Sequence, residues 1–353
     1  MEKSKSQWIE FAFRVGAVIL AILFTTLVLI VAKAPPLKAF NEIIKGSIGS
    51  PVKLADVLVA FVPLLLVTSG LLFTFTAGLY NLGIEGQIIL GAIFTTWIYR
   101  LLMDTALPPA VIIIAGFVAG AIGGALWAAL VGALKTFGGV NEIFGGLGLN
   151  FVATALIIWL IFGPWKQPGI GSMSGTKPFP ETIWLPMVEG FRLSWWSVGL
   201  AMAGIVLVYV LLKGTYFGLK LKAVGKNFHA SFILGIPHTR FMMVSFMLCG
   251  AFAGLAGATQ VIGVYHRLIP SISSGYGFLG LLVAMLINYQ ALLAIPVALF
   301  FAALNIGSIQ LPIVLKLDSA LSGVLQGSLV LFVVLMEGVR QRFMKKETGK
   351  DGE

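Results

Sequence analysis

The sequence predicts an all-α polytopic transmembrane bundle of about ten spans with both termini cytoplasmic. Three observations carry that prediction. Of 353 residues, 58% are hydrophobic and only 11% charged, and a mean hydropathy of +0.99 leaves too little polar surface to coat a water-soluble globule of this size. The apolar residues gather into runs of about 20, the length a helix needs to cross the hydrocarbon core. The 42 glycines stand inside those runs as well as between them, which suits closely packed membrane helices.

In chain order the expected spans are 9–32, 57–77, 82–102, 109–134, 142–163, 195–213, 241–263, 276–290, 291–308 and 319–338, forming a single domain over residues 1–353. The first is basic at its start but too long for a signal-peptide core, so it is expected to be retained. The eighth and ninth are short and separated only by Asn288, Tyr289 and Gln290, which allows a tight hairpin or a partly re-entrant pair. Gly116, Gly120 and Gly124 recur every four residues, as do Gly250, Gly254 and Ala258, so each set makes a smooth ridge for another helix.

Basic residues set the orientation. With a cytoplasmic N-terminus, fourteen of the 24 Lys and Arg fall inside, including the acid-free block Lys213 to Arg240 and the tail RQRFMKKE. The outside then receives loops 34–56, which contains a short amphipathic stretch, and 164–194, which is rich in Pro, Gly and Trp. The formal charge of +10 is spread over loops and ends with no aromatic-interleaved patch, so anionic lipid and topology explain it better than nucleic acid. The single cysteine, Cys249, permits no intramolecular disulfide and reads as a small packing residue. His229, His238 and His266 lie far apart without acidic partners at ligand spacing, so no metal is expected. No phosphate-cradling GxxxxGK[ST] loop and no nucleophile, base and acid set occurs, so the chain reads as a transporter without its own ATPase site and not as an enzyme.

The main anomaly is NLGIEGQ, residues 81–87. A carboxylate inside a span costs at least ~2.5 kcal/mol on insertion scales, so Glu85 should face protein or water. Two readings stand: Asn81 caps a helix start with Glu85 in its first turn, or the polar residues line a path. Asn81 and Glu85, four apart, would share a face, with Gln87 projecting elsewhere. In GGVNEIFGGLGLN, Asn141 suits a helix cap with Glu142 in the first turn, whereas Asn150 lies deeper and should bond another helix or face a pore. Asn288, Gln260, Asn305 and Gln326 are further intramembrane amides, for which interhelical hydrogen bonding is the more common role.

Residues 214–240 form the long cytoplasmic loop, expected to fold as two short helices joined around Gly225 and Asn227 and ended by Gly235 and Pro237. Its segment LKAVGKNFHASFILGI resembles the RAVGxNPxAAxxxGI coupling-loop pattern of permease subunits of bacterial ABC importers in the branched-chain amino-acid, ribose and nucleoside family. The departures are Lys222 for Arg, Phe228 for Pro and Ser231 for Ala. NLGIEGQIILGA is similar to the FNIGxEGQxxLGA of nucleoside, basic-membrane-protein-linked members, GVNEIFGGLGLNFVA to their GVNEVxxTLMLNYIA, and SGYGFLGLLVAML to their GFGFxGIAVALL. INYQA stands where GRNNP is common.

The resemblance implies a pore-forming importer subunit for nucleosides or related solutes in the bacterial cell membrane. A ribose-type sugar permease is the alternative, and an ion-coupled secondary transporter using Glu85 a more distant one. It further implies separate ATPase subunits that bind ATP and Mg, a second and related permease, and an extracellular solute-binding lipoprotein. As polar residues within apolar spans, Asn81, Glu85, Gln87, Glu142, Asn150 and Asn288 are candidates for the translocation path. By the same resemblance Lys222, Ala223, Gly225, Asn227, His229 and Gly235 are candidates for ATPase coupling.

Overall fold

The computed structural model describes residues 16, 19–20, 22–31, 33–167, 169, 175–287, 290–317, 321, 323–324, 326–328, 331–332, 335–336 and 339. The regular elements among them are all helices. By contacts the chain divides into two units, residues 55–302 and residues 1–54 with 303–353.

The smaller unit holds α1 (Ile22–Val31) and α2 (Pro36–Ile48), which meet at a bend of 113°. Pro35 and Pro36 dictate that break, because Pro36 fits the first helical position but cannot continue a preceding helix. α2 buries Ala39, Ile43, Gly46 and Ser47 at helical spacing and exposes Leu37 and Lys45, the amphipathic stretch expected within 34–56. Its core joins Leu29, Ala34, Ala39, Ile43 and Leu311, the last from α13 (Gln310–Leu315). The amides of Asn305 and Gln326 meet at 3.5 Å, as expected for intramembrane amides on different helices.

The larger unit contains α3 (Pro51–Thr76, from residue 55), α4 (Ile84–Leu102), α5 (Pro109–Thr136), α6 (Glu142–Phe162), α7 (Trp195–Gly214), α8 (Tyr216–Lys226), α9 (Phe228–Ile233), α10 (His238–Thr259), α11 (Tyr276–Leu286) and most of α12 (Ala294–Ser308). Start signals are local: Pro109 opens α5 at a position that needs no N–H, and Asn141 caps α6 by accepting from Ile143 N at 2.9 Å. α3 and α10 are the inner helices, with 89% and 61% of their apolar windows buried, against 22% for α7. Each glycine ridge takes a close helix approach as expected, and the two ridges meet each other. A Cβ on Gly124 would be driven into the Gly250 carbonyl, and one on Gly254 into that of Gly120. On the other side of α10, Gly254 abuts Gly91 and Gly257 abuts the Ile88 carbonyl of α4. α4, α5 and α10 therefore cross at backbone contact.

Among the described residues, six helices are long and apolar enough to span: Pro51–Thr76, Pro109–Thr136, Glu142–Phe162, Trp195–Gly214, His238–Tyr265 and Ala291–Leu315. They coincide with six of the ten expected spans. The other four differ for separate reasons. α4 is helical, but Glu85, Gln87 and Arg100 lower its hydropathy; it is largely buried by its neighbours and so need not be apolar throughout. α11 is only 11 residues long. The first expected span is described only from Gly16 onward and in part, and the last, 319–338, lies largely outside the described residues, as do both termini.

α10 runs on through a π turn, Gln260–Tyr265, and stops at His266 with φ 54°. Beside that end lies an ordered cap made by residues 175–194. Thr176 N donates to Leu268 O at 2.9 Å, Phe179 N to His266 O at 2.9 Å, and Trp184 stacks on His266 with centroids 3.7 Å apart. His266 Nδ1–H donates to Ile262 O at 3.0 Å. Burial holds this imidazole below its usual pKa, with Arg192 pushing the same way and the Ile262 carbonyl and Glu181 opposing. Since α10 with its π turn is 28 residues long, about 42 Å at 1.5 Å per residue, this cap and the α8–α9 pair lie at opposite ends of the unit.

Candidate functional site

The NLGIEGQ segment forms a turn and then the start of α4, which places its polar atoms among four helices. Gly83, not Asn81, is the residue before the first helical position, and it makes no side-chain cap. The cap comes instead from α6: Asn150 Oδ1 accepts from Gly86 N at 2.8 Å while Asn150 Nδ2 donates to Leu82 O at 2.8 Å. One amide thereby satisfies a free helix donor and a turn carbonyl. The approach requires bare backbones, since a Cβ on Gly146 would sit 2.6 Å from Gly83 N. The Asn81 cap expected from sequence is thus replaced by one from another helix.

Asn81 has a different job. Lying outside the helix, it does not share a face with Glu85; it turns toward Gln87, and the two amides exchange hydrogen bonds at 3.0 Å each. Asn81 Nδ2 also donates to Cys249 Sγ of α10 at 3.1 Å. Both amides and the thiol are fully buried, so Cys249 is a hydrogen-bond acceptor here as well as a packing residue.

Glu85 reaches the start of α11. Its Oε1 accepts from Phe278 N at 3.0 Å, and Gly277 N and the Ser273 side chain also hydrogen-bond to the carboxylate. A negative group suits the exposed N–H groups of a helix start. Gly277 makes the room, because a Cβ there would lie 2.8 Å from Oε1. Sequence reasoning put Glu85 in the first turn of its own helix, which holds, but missed that its carboxylate serves a helix nearly 200 residues away.

Toward the other end, Gly78 (φ 74°) turns the chain between α3 and α4, and the C-terminal turn of α8 lies on it. A Cβ on Gly225 would be driven into the Thr76 carbonyl, and one on Gly78 would lie 3.1 Å from the Gly225 carbonyl. The expected pair of short helices is present. Asn227 joins them, its Oδ1 accepting from Ala230 N at 3.0 Å, and Gly235 (φ 71°) follows the second. Lys222, Asn227, His229 and Gly235 are exposed, Ala223 and Gly225 half-buried. Phe232, Ile233 and Leu234 are 66%, 82% and 74% exposed, an apolar ridge that follows the lysine-bearing α8. Beneath it a cavity of about 420 Å³ is lined by Gly78, Gly225, Phe228, His238 and the Lys135–Glu142 ion pair, whose charged atoms stand 2.7 Å apart.

The candidate path residues are therefore split. Asn81, Glu85, Gln87 and Asn150 form one buried cluster, Glu142 is held by Lys135 nearer the α8–α9 end, and Asn288 lies outside the described residues. Replacing Asn150 by alanine orphans two backbone groups at about 1–3 kcal/mol each. The expected result is a lower unfolding temperature in detergent for Asn150→Ala, with the parent profile as reference.

The family model described as the branched-chain amino acid transport system permease component matches residues 53–334. The glucose ABC transporter permease protein TsgB13 of Haloferax volcanii is 30% identical over 94% of this chain and 88% of its own. Two permeases of Bacillus subtilis, both named for a guanosine ABC transporter, also match. NupP is 27% identical over 92% of this chain and 93% of its own, and NupQ 26% over 69% and 77%.

Proposed function

The chain belongs to the branched-chain amino acid transport system permease family, and on that premise we propose that it is a path-forming permease subunit of an ATP-binding cassette importer for nucleosides. One observation carries the mechanism: the exposed α8–α9 pair rests through Gly225 on Gly78, the turn that leads directly into the Glu85 cluster. Separate ATPase subunits, which bind ATP and Mg, engage Lys222, Ala223, Asn227, His229 and the apolar ridge. Their closure pushes α8 against the α3–α4 turn and shifts α4 and α11, alternating access to the path.

The outer loops 34–56 and 164–194 receive a solute-binding lipoprotein, and a second, related permease completes the path; two guanosine permeases in one organism support a pair of unlike subunits. The protein acts as a multi-pass component of the cell membrane. A simple sugar as cargo is the second reading, favoured by the 30% identity to a glucose permease.

Reconstitution separates these from an ion-coupled transporter that uses Glu85. Proteoliposomes with both permeases, ATPase and binding protein should accumulate guanosine only with ATP, and liposomes with this chain alone should not. Gradient-driven uptake by the lone chain, lost in Glu85→Gln, would refute the importer assignment.

A further inference from the structure

Residues 266–275 break the helical run between α10 and α11, starting at the cap, where His266 O and Leu268 O accept from Phe179 N and Thr176 N, and ending at membrane depth. Phe278 N is bonded to Glu85, which lies fourteen residues before Tyr99, about 21 Å along α4 at 1.5 Å per residue. Tyr99 Oη in turn bonds Ile183 O in the cap at 3.2 Å. The start of α11 is thus well below the cap and within a hydrocarbon thickness of roughly 30 Å.

Irregular backbone survives at that depth only when it is buried in protein or lines a watery space. Here Ser271, Ser274 and Gly275 are exposed, and Ser274 and Gly275 are consecutive left-handed residues at φ 49° and 74°. Beside them stand two exposed aromatic side chains, Tyr265 and Phe278, 36% and 46% accessible. Tyr265 Oη lies 3.4 Å from Ser274 Oγ. Ser274 Oγ also donates to Ser271 O at 3.3 Å, but hydroxyl oxygens accept as well as donate, so their exposed lone pairs and the neighbouring aromatic faces, set on a polar path, are the chemistry that takes a hydroxylated ring with an apolar face.

We propose that Tyr265, Ser271, Ser274 and Phe278 form the cargo shelf of the path, the aromatic rings stacking on a nucleobase and the hydroxyls bonding its ribose. Glu85 is a positioning residue that fixes the shelf by holding the N–H groups of Gly277 and Phe278. The inference rests on the importer reading above, and it moves cargo recognition away from the buried amides of Asn81, Gln87 and Asn150 to the broken segment.

The native thiol makes the test clean, since Cys249 is fully buried. In the complete importer in membranes, Ser274→Cys should react with a charged, membrane-impermeant methanethiosulfonate while the parent chain does not. Uridine should suppress that labelling, and the same complex should still take up nucleoside with ATP, which keeps the importer assignment separate from the shelf. Phe278→Ala should lose uptake and Phe278→Trp retain it, at matched recovery of the assembled complex. Suppression by glucose in place of uridine would overturn the assignment of the aromatic rings to a nucleobase. An unreactive Ser274→Cys, labelling indifferent to both solutes, or full uptake by Phe278→Ala would overturn the shelf while ATP-driven transport by the parent stands.

Discussion

Gly225→Leu should abolish ATP-driven uptake while the protein still inserts and the two permeases still associate. The side chain would have to occupy the space now filled by the Thr76 carbonyl and the Ala77–Gly78 peptide. Those atoms belong to a turn that opens into α4, so they cannot withdraw without moving Leu82, Gly83 and the Asn150 cap. α8 must lift instead, and with it Asn227 and the exposed ridge of α9. Overpacking of this kind costs about 1–3 kcal/mol, small beside the whole fold but concentrated on one contact that transmits force. The expected signature is a dissociation of two readouts in the reconstituted complex: uptake falls to the level without ATP, while ATP hydrolysis no longer responds to loaded binding protein. Undiminished uptake would remove α8 from the coupling path.

Gly254→Leu has the larger effect on the fold itself. Gly254 is pinned between backbones on two sides, the Gly120 carbonyl and Gly124 Cα of α5 and Gly91 of α4. A leucine forces the α4–α5–α10 crossing apart at its tightest point, and the cost should exceed the ~3 kcal/mol upper end of ordinary overpacking because no flexible side chain is present to yield. Separation of these helices also pulls the turn before α4, through Asn81, away from Cys249 of α10. Gly254→Leu should therefore give little monodisperse protein after detergent extraction. Gly148→Leu is the matched control: a Cβ there meets nothing within 4 Å, and it should be recovered normally.

Much of this architecture was legible from side-chain types alone. The i, i+4 glycines of α5 and α10 announced a close crossing because only missing side chains permit one, and the two ridges do face each other. Asn141 was recognisable as a cap because a cap is local, reaching two residues along its own chain. The α8–α9 break was readable from Gly225, Asn227 and Gly235 for the same reason. The cap of α4 was not, since its donor and acceptor come from Asn150, on α6. Nor was there any local signal that Glu85 would serve α11, because Gly277 and Phe278 carry the interaction through backbone N–H groups that every sequence has.

The sequence by itself determined that this is a helical membrane protein, where most of its helices begin and end, and that residues 214–240 break into two short helices between longer apolar ones. Those properties follow from hydropathy, proline, glycine and capping chemistry, all of which act over a few residues. Only the tertiary structure decided what the polar residues of NLGIEGQ do. Asn81 pairs with Gln87 and Cys249, Glu85 holds α11, and Gly78 carries α8. A buried polar group must find its partner wherever the fold brings one, and in a bundle of glycine-lined helices that partner is set by which backbones can touch.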